Sequence, residues 1–222
     1  MKQDTFIFDM DGLLIDSEPL WEEAGCEVLK EYGVALTNEQ YHSSTGLRTE
    51  EWIGYWFRHF NISQDFAPAA TKDIIYRATR KIAEKGSAMP GVYDTLQLLQ
   101  SRGFTLAIAT SSPLGIIDVV MNKLKIASFF KTFTSAEHLP YGKPNPAVYL
   151  QCAQSLGKDP SSCICFEDSF NGMIAVKAAL MKCIVVPAPA FQQQLRWNAA
   201  DIQLSSLEDF NESILANITG QH

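Results

Sequence analysis

Short apolar runs, each closed by a polar or glycine-containing segment, recur along the chain. Phe6-Ile7-Phe8, Thr105 to Ala109, Thr132 to Thr134, Ser162 to Phe166 and Cys183 to Val186 have the length of strands, and most are apolar enough to be buried on both faces. Apolar stripes at helical spacing stand before or between the later runs: Val92 to Ser101, Pro113 to Leu124, Pro146 to Leu156 and Phe170 to Ala179. Such alternation predicts an α/β fold, a doubly wound parallel sheet with helices on both faces and ligands at the carboxyl ends of its strands. Residues 15–86 break the alternation. They carry only helical patterns, Pro19 to Tyr32, Thr49 to Phe60 and Pro68 to Glu84, separated by polar loops. The pattern therefore predicts a catalytic core of residues 1–14 and 87–222 with a helical cap domain, residues 15–86, inserted after the first strand.

Composition narrows the partners. At 222 residues and 46% hydrophobic, the chain is long enough for one α/β core plus a smaller module. A net charge of −7 offers no basic field for nucleic acid or an anionic membrane, so any phosphate has to be handled locally. No apolar run has the length of a membrane span and Met1-Lys2-Gln3-Asp4 opens no signal peptide, which gives a cytoplasmic protein, expected to be a monomer. The five cysteines (26, 152, 163, 165, 183) read as small buried hydrophobes, not as disulfides or a zinc site. There is no Gly-x-Ser-x-Gly elbow, glycine-rich dinucleotide loop or Walker motif.

The chemistry gathers where strands end. Asp9 and Asp11, one residue apart in Phe8-Asp9-Met10-Asp11-Gly12, suit phosphoryl transfer: one carboxylate attacks phosphorus and the other serves the leaving group and water. A calcium loop would need a third acid and a distal Glu, both missing; an Asp- and Gly-rich turn is the other plain reading. Thr110-Ser111-Ser112-Pro113 follows a buried strand, so its hydroxyls can meet a phosphate, although a helix cap needs only one of them. Lys143, between Gly142 and Pro144, can bridge a phosphoryl group and its nucleophile; surface lysines, however, are common. Glu167-Asp168 ends another apolar run. Adjacent acids there suit a hard cation, with Mg²⁺ the natural choice beside a phosphate.

These four signals, in this order and over nearly the whole chain, resemble the haloacid dehalogenase superfamily of phosphohydrolases. Asp9-Met10-Asp11-Gly12 matches the first motif, Thr110 the second, Lys143 in Gly-Lys-Pro-x-Pro the third and Glu167-Asp168 the fourth. Asp11 to Pro19, Asp-Gly-Leu-Leu-Ile-Asp-Ser-Glu-Pro, is similar to the branch with a helical cap that includes β-phosphoglucomutase and 2-deoxyglucose-6-phosphatase. The resemblance implies a Rossmann-like core, a nucleophilic Asp9, an acid/base Asp11, and Mg²⁺ held by the Asp9 side chain, the Asp11 main-chain carbonyl and Asp168. Glu167 would be a further ligand or support the others.

In the cap, Arg48 matches the position where sugar-phosphate members carry an Arg that meets the far end of the substrate; a solvated loop residue is the plain alternative. Lys72 is a second candidate contact, against a place on a solvated face. Trp52 and Trp56, at i and i+4, with Phe57 and Phe60, read as cap core. Mutases of the branch carry a His where this chain has Trp21 and a Lys where it has Pro113, which favours a phosphatase that releases phosphate to water. The expectation is a Mg²⁺-dependent phosphatase of small phosphomonoesters, chiefly sugar phosphates, working through an aspartyl-phosphate. A β-phosphoglucomutase-like phosphomutase is the alternative, ahead of a dehalogenase or a binding module without catalysis.

Overall fold

A computed structural model describes residues 3–220. Its sheet has six strands: β1 (Thr5–Phe8), β2 (Thr105–Thr110), β3 (Thr132–Ser135), β4 (Cys163–Glu167), β5 (Lys182–Val185) and β6 (Ile202–Gln203). The order is β3-β2-β1-β4-β5-β6, with every pairing parallel. β1 is central, Phe8 lying level with Ile108 on one side and Phe166 on the other. Chain connections leave β1 and β4 towards opposite edges, so a crevice opens at the carboxyl ends between them, the usual ligand position in such sheets.

Alternate side chains of β1 enter opposite layers, as strand geometry requires. Phe6 and Phe8 pack with Phe166 under α5 (Val92–Ser101), α6 (Leu114–Leu124) and α9 (Glu212–Thr219). Ile7 faces the other layer with Cys163, Cys165 and Cys183, covered by α7 (Ala147–Ser155) and α8 (Phe170–Ala178). All five cysteines are free thiols, four of them buried.

Between β1 and α5 stand α1 (Glu18–Glu31), α2 (Asn38–Ser43), α3 (Thr49–His59) and α4 (Ala67–Lys85), packed around Val28, Ile53, Trp56, Phe57, Ile74 and Ala78. The two chain crossings between this helical unit and the sheet unit lie side by side, with Asp16 N–H donating to the Ser87 carbonyl at 2.8 Å and Met89 N–H to the Leu14 carbonyl at 3.1 Å. α2 goes beyond the helices expected from sequence. It is six residues long with only Tyr41 buried, and it starts on a Thr37–Gln40 capping box rather than on an apolar stripe. α9 and β6 were likewise unforeseen. Among the described residues no helix is long and apolar enough to cross a membrane.

Candidate active site

β1 delivers Asp9 to the crevice because its backbone is held on both sides; the Asp9 N–H donates to the Phe166 carbonyl at 3.0 Å. The chain then turns at Gly12, whose φ of +72° belongs to the left-handed region that glycine adopts without strain. A Cβ at Gly12 would also run into the Asp168 carboxylate, so the loops after β1 and β4 meet there at glycine distance. Asp9, Asp11, Thr110, Ser111, Ser112, Lys143 and Asp168 all line one cavity between the sheet and the cap.

Lys143 lies at the bottom of that cavity, 1% exposed, with Nζ donating to Asp9 Oδ1 and Glu167 Oε1, each at 2.6 Å. Glu167 is fully buried and gathers the loop around it. It accepts from the Tyr149 hydroxyl, the Asp168 and Ser169 N–H groups at 3.2 Å and Ser169 Oγ at 3.1 Å. A buried carboxylate is tolerated when paired and hydrogen-bonded in this way. Burial alone would lower the Lys143 pKa, but the Asp9 and Glu167 carboxylates hold it above the ordinary lysine value. Gly172 backs the arrangement: any Cβ there would overlap the Glu167 carboxyl group. Gly172→Ala is therefore expected to lower stability by about 1–3 kcal/mol, the usual cost of overpacking, read from the urea midpoint. An unchanged midpoint would mean the carboxylate can be moved at no cost.

Asp11 is pinned by three donors. Ser17 Oγ at 2.7 Å and Trp21 Nε1 at 2.9 Å reach Oδ1, and Ser112 Oγ at 2.6 Å reaches Oδ2. The indole at position 21 thus touches the Asp11 carboxylate, a contact beyond the expectation that Trp21 marks a phosphatase. What an indole cannot do is exchange a proton at neutral pH, so it can orient Asp11 but not titrate with it. Ser112 is turned to Asp11, Ser111 Oγ donates to the Gly46 carbonyl of the cap at 2.8 Å, and Thr110 Oγ1 accepts the Ser112 N–H at 3.0 Å.

Carboxylate oxygens of Asp9, Glu167 and Asp168 all lie within 4.8 Å of one another, with Lys143 as the one cation among the cavity-lining residues. Burial, opposed in part by Lys143, pushes the Asp9 carboxyl up to about 7. Burial, with the charges of Asp9 and Glu167, likewise raises Asp168 well above its ordinary value. Such crowding is what a divalent cation relieves, so Mg²⁺ fits this donor set. Glu167 is the weakest candidate for direct coordination, since both its oxygens already accept hydrogen bonds.

Two cap residues lie elsewhere than expected. Lys72 is exposed and lines a separate cleft with Arg48, Thr49, Glu50 and Glu137. Arg48 is 7% exposed and does not line the cavity of Asp9; its guanidinium points to Glu51 and to carbonyls of the loop after β3. The physical reason is competition: fixed acceptors in the protein take Nη1 and Nη2 before any ligand arrives, leaving the buried Nε without a partner. The cavity is instead closed over by Glu18, Trp21, Tyr41, Ser44, Thr45, Thr49 and Trp52. Glu18 went unrecognised as a lining residue; burial and the charges of Asp11 and Asp9 push its carboxyl up to about 8. Its one sequence signal is its place two residues past Asp16, at the first turn of α1.

Residues 6–186 match the family model described as haloacid dehalogenase-like hydrolase. The chain belongs to that family. Hexitol phosphatase B of Escherichia coli (strain K12) is 41% identical over 204 residues, 91% of this chain and 92% of the relative. The phosphorylated carbohydrates phosphatase of Thermotoga maritima is 30% identical over 79% of this chain and 81% of its own length. A β-phosphoglucomutase from Clostridium difficile superposes with a TM-score of 0.87 over 100% of this chain and 98% of its own, at 20% identity, a likeness of fold. This haloacid dehalogenase-like chain is a phosphatase-type enzyme.

Proposed function

We propose that the protein is a Mg²⁺-dependent phosphatase of sugar or polyol monophosphates, working through an aspartyl-phosphate on Asp9. The observation that carries the reading is the pairing of Asp9 with Lys143 at 2.6 Å beside a separately held Asp11 in one cavity. Asp9 Oδ1 is occupied by Lys143, which leaves Oδ2 to attack phosphorus, while Lys143 and the Thr110 hydroxyl bind the phosphoryl oxygens. Asp11 gives a proton to the departing alkoxide and then takes one from the water that hydrolyses the acyl phosphate. The Asp9 and Asp168 side chains, with the Asp11 main-chain carbonyl, would hold Mg²⁺, which supplies charge neutralisation for the phosphoryl group. Ser17, Trp21 and Ser112 keep Asp11 aimed.

Support for the substrate class comes from the cap side of the cavity, where the hydroxyls of Tyr41, Ser44, Thr45 and Thr49 and the rings of Trp21 and Trp52 offer hydrogen bonds and apolar faces to a polyhydroxylated tail. The relatives named as phosphatases of hexitol and carbohydrate phosphates agree with that chemistry. Phosphate release from a panel of sugar and polyol phosphates, with Mg²⁺ and then with EDTA, tests the reading; no turnover with Mg²⁺ would end it. A phosphomutase shares the fold, and ³¹P NMR of glucose 1-phosphate with a bisphosphate activator separates the two. The indole of Trp21, unable to relay a proton, favours release to water. We propose that the enzyme is cytoplasmic and a monomer; size-exclusion chromatography checks the oligomeric state.

Asp168→Asn removes one charge from the metal group and leaves Asp9, Asp11 and Lys143 in place. The Mg²⁺ concentration for half-maximal activity is expected to rise about tenfold or more, with activity recovering towards wild type at high Mg²⁺. An unchanged Mg²⁺ requirement would take Asp168 out of the metal site.

A further inference from the structure

Arg48 and Glu51 stand one turn apart at the start of α3 and reach out of the cap into the loop between β3 and α7. Arg48 Nη1 donates to the Leu139 carbonyl at 2.7 Å and the Ala136 carbonyl at 3.2 Å. Its Nη2 donates to Glu51 Oε1 at 2.6 Å and the Pro140 carbonyl at 3.4 Å. Glu51 Oε1 in turn accepts the Gly142 N–H at 2.9 Å. The pair thus grips the loop at four points and ends at the residue directly before Lys143. A Cβ on Gly142 would strike Glu51 Oε2 and come within 2.8 Å of Arg48 Cγ, so only glycine lets the loop pass this close.

The neighbouring cap residues are held by the loop after β2 and by the start of α8. Ser111, after β2, donates to the Gly46 carbonyl, and Asn171, in the first turn of α8, donates to the Thr45 carbonyl, each at 2.8 Å. The segment from Thr45 to Glu51 is therefore fastened to the loops after β2 and β3, which carry candidate catalytic groups, and to the start of α8, which follows Glu167 and Asp168. A simple anchor could sit anywhere on the cap surface; this one meets the cavity's own loops.

We propose that Arg48 and Glu51 are a positioning pair through which the seating of α3 sets the place of Lys143. With α3 seated, the loop after β3 holds the main chain from which the Lys143 ammonium reaches Asp9 and Glu167; with α3 unseated, that loop loses four of its fixed contacts. The proposal rests on the reading of Lys143 as a partner of the transferred phosphoryl group. Since the pair acts at the reacting end, its loss is felt equally by esters with and without a sugar tail. A displacement of about 1 Å at a reacting group costs on the order of a hundredfold in rate.

The test compares wild type, Arg48→Met, Glu51→Gln and Glu51→Ala, measuring kcat and KM on p-nitrophenyl phosphate and on the best sugar or polyol phosphate, with urea midpoints alongside. Arg48→Met is expected to lower kcat on both esters by the same factor, about tenfold to a hundredfold, with KM for p-nitrophenyl phosphate nearly unchanged. Glu51→Gln keeps an acceptor for the Gly142 N–H and should lose less kcat than Glu51→Ala; it also carries the comparison if Arg48→Met does not fold. A loss confined to the sugar ester would overturn the proposal in favour of a substrate contact. Lowered urea midpoints with wild-type kcat on both esters would overturn it in favour of a plain anchor. If wild type hydrolyses no phosphomonoester, the functional reading falls first and the proposal with it, a result seen before any variant is made.

Discussion

Asp9→Asn is expected to fold and to lose essentially all turnover, a fall of about 10⁵-fold or more, as removal of a covalent nucleophile usually gives. The amide oxygen can still accept from Lys143, and Glu167 remains as the second partner of the ammonium, so the buried charge is not orphaned. Crowding among Asp9, Glu167 and Asp168 is also relieved when one of them becomes neutral. The urea midpoint should accordingly hold or rise while activity disappears, a combination that general misfolding cannot produce. Beryllofluoride, which completes an acyl-phosphate mimic only on a carboxylate, should bind wild type with Mg²⁺ and fail to bind the variant. Appreciable turnover by Asp9→Asn of confirmed mass would remove Asp9 from the nucleophile's role.

The sheet was legible because its strands are unbroken apolar runs. Phe6-Ile7-Phe8 and Cys163 to Phe166 can go nowhere but the centre of a two-layered core. Asp9, Thr110, Lys143 and Asp168 surround one cavity, and the same fact accounts for all but one of them, since parallel strands present their carboxyl ends together. Lys143 is the exception among them, brought in by a loop beyond β3 and fixed by Asp9 and Glu167 from other parts of the chain. Long-range partners also decided what sequence left obscure. Arg48 sits at a helix start, as its neighbours imply, but the direction of its guanidinium is set by carbonyls about ninety residues away. Nothing local marks Tyr149 within the helical stretch Pro146 to Leu156, and only the fold brings its hydroxyl to Glu167. The identity of Trp21 shows that it carries no proton, whereas its contact with Asp11 depends on how α1 enters the cap after the turn at Gly12. Local patterns fix where a side chain starts; what it touches is fixed by elements far away in sequence.

Asp11→Asn is expected to separate the two halves of the reaction. In wild type the Asp11 carboxylate accepts from Ser17, Trp21 and Ser112, so it is aimed by groups that do not themselves leave with the substrate. An asparagine keeps the shape and can keep acceptor contacts through its oxygen, but it carries no transferable proton. Formation of the aspartyl-phosphate from a sugar or polyol phosphate, whose alkoxide leaves poorly without protonation, should slow by about 10²- to 10⁴-fold. The same step with p-nitrophenyl phosphate should slow far less, because p-nitrophenolate is already a stable anion. Attack of water on the acyl phosphate needs the missing base with either substrate, so the phosphoenzyme should accumulate. Rapid-quench measurement on p-nitrophenyl phosphate would then show a burst of nitrophenolate of up to one equivalent, followed by a slow steady state. Equal slowing of the first step for both esters, with no burst, would mean that Asp11 supports the geometry of the site instead of moving protons, and the acid/base role would pass to another group.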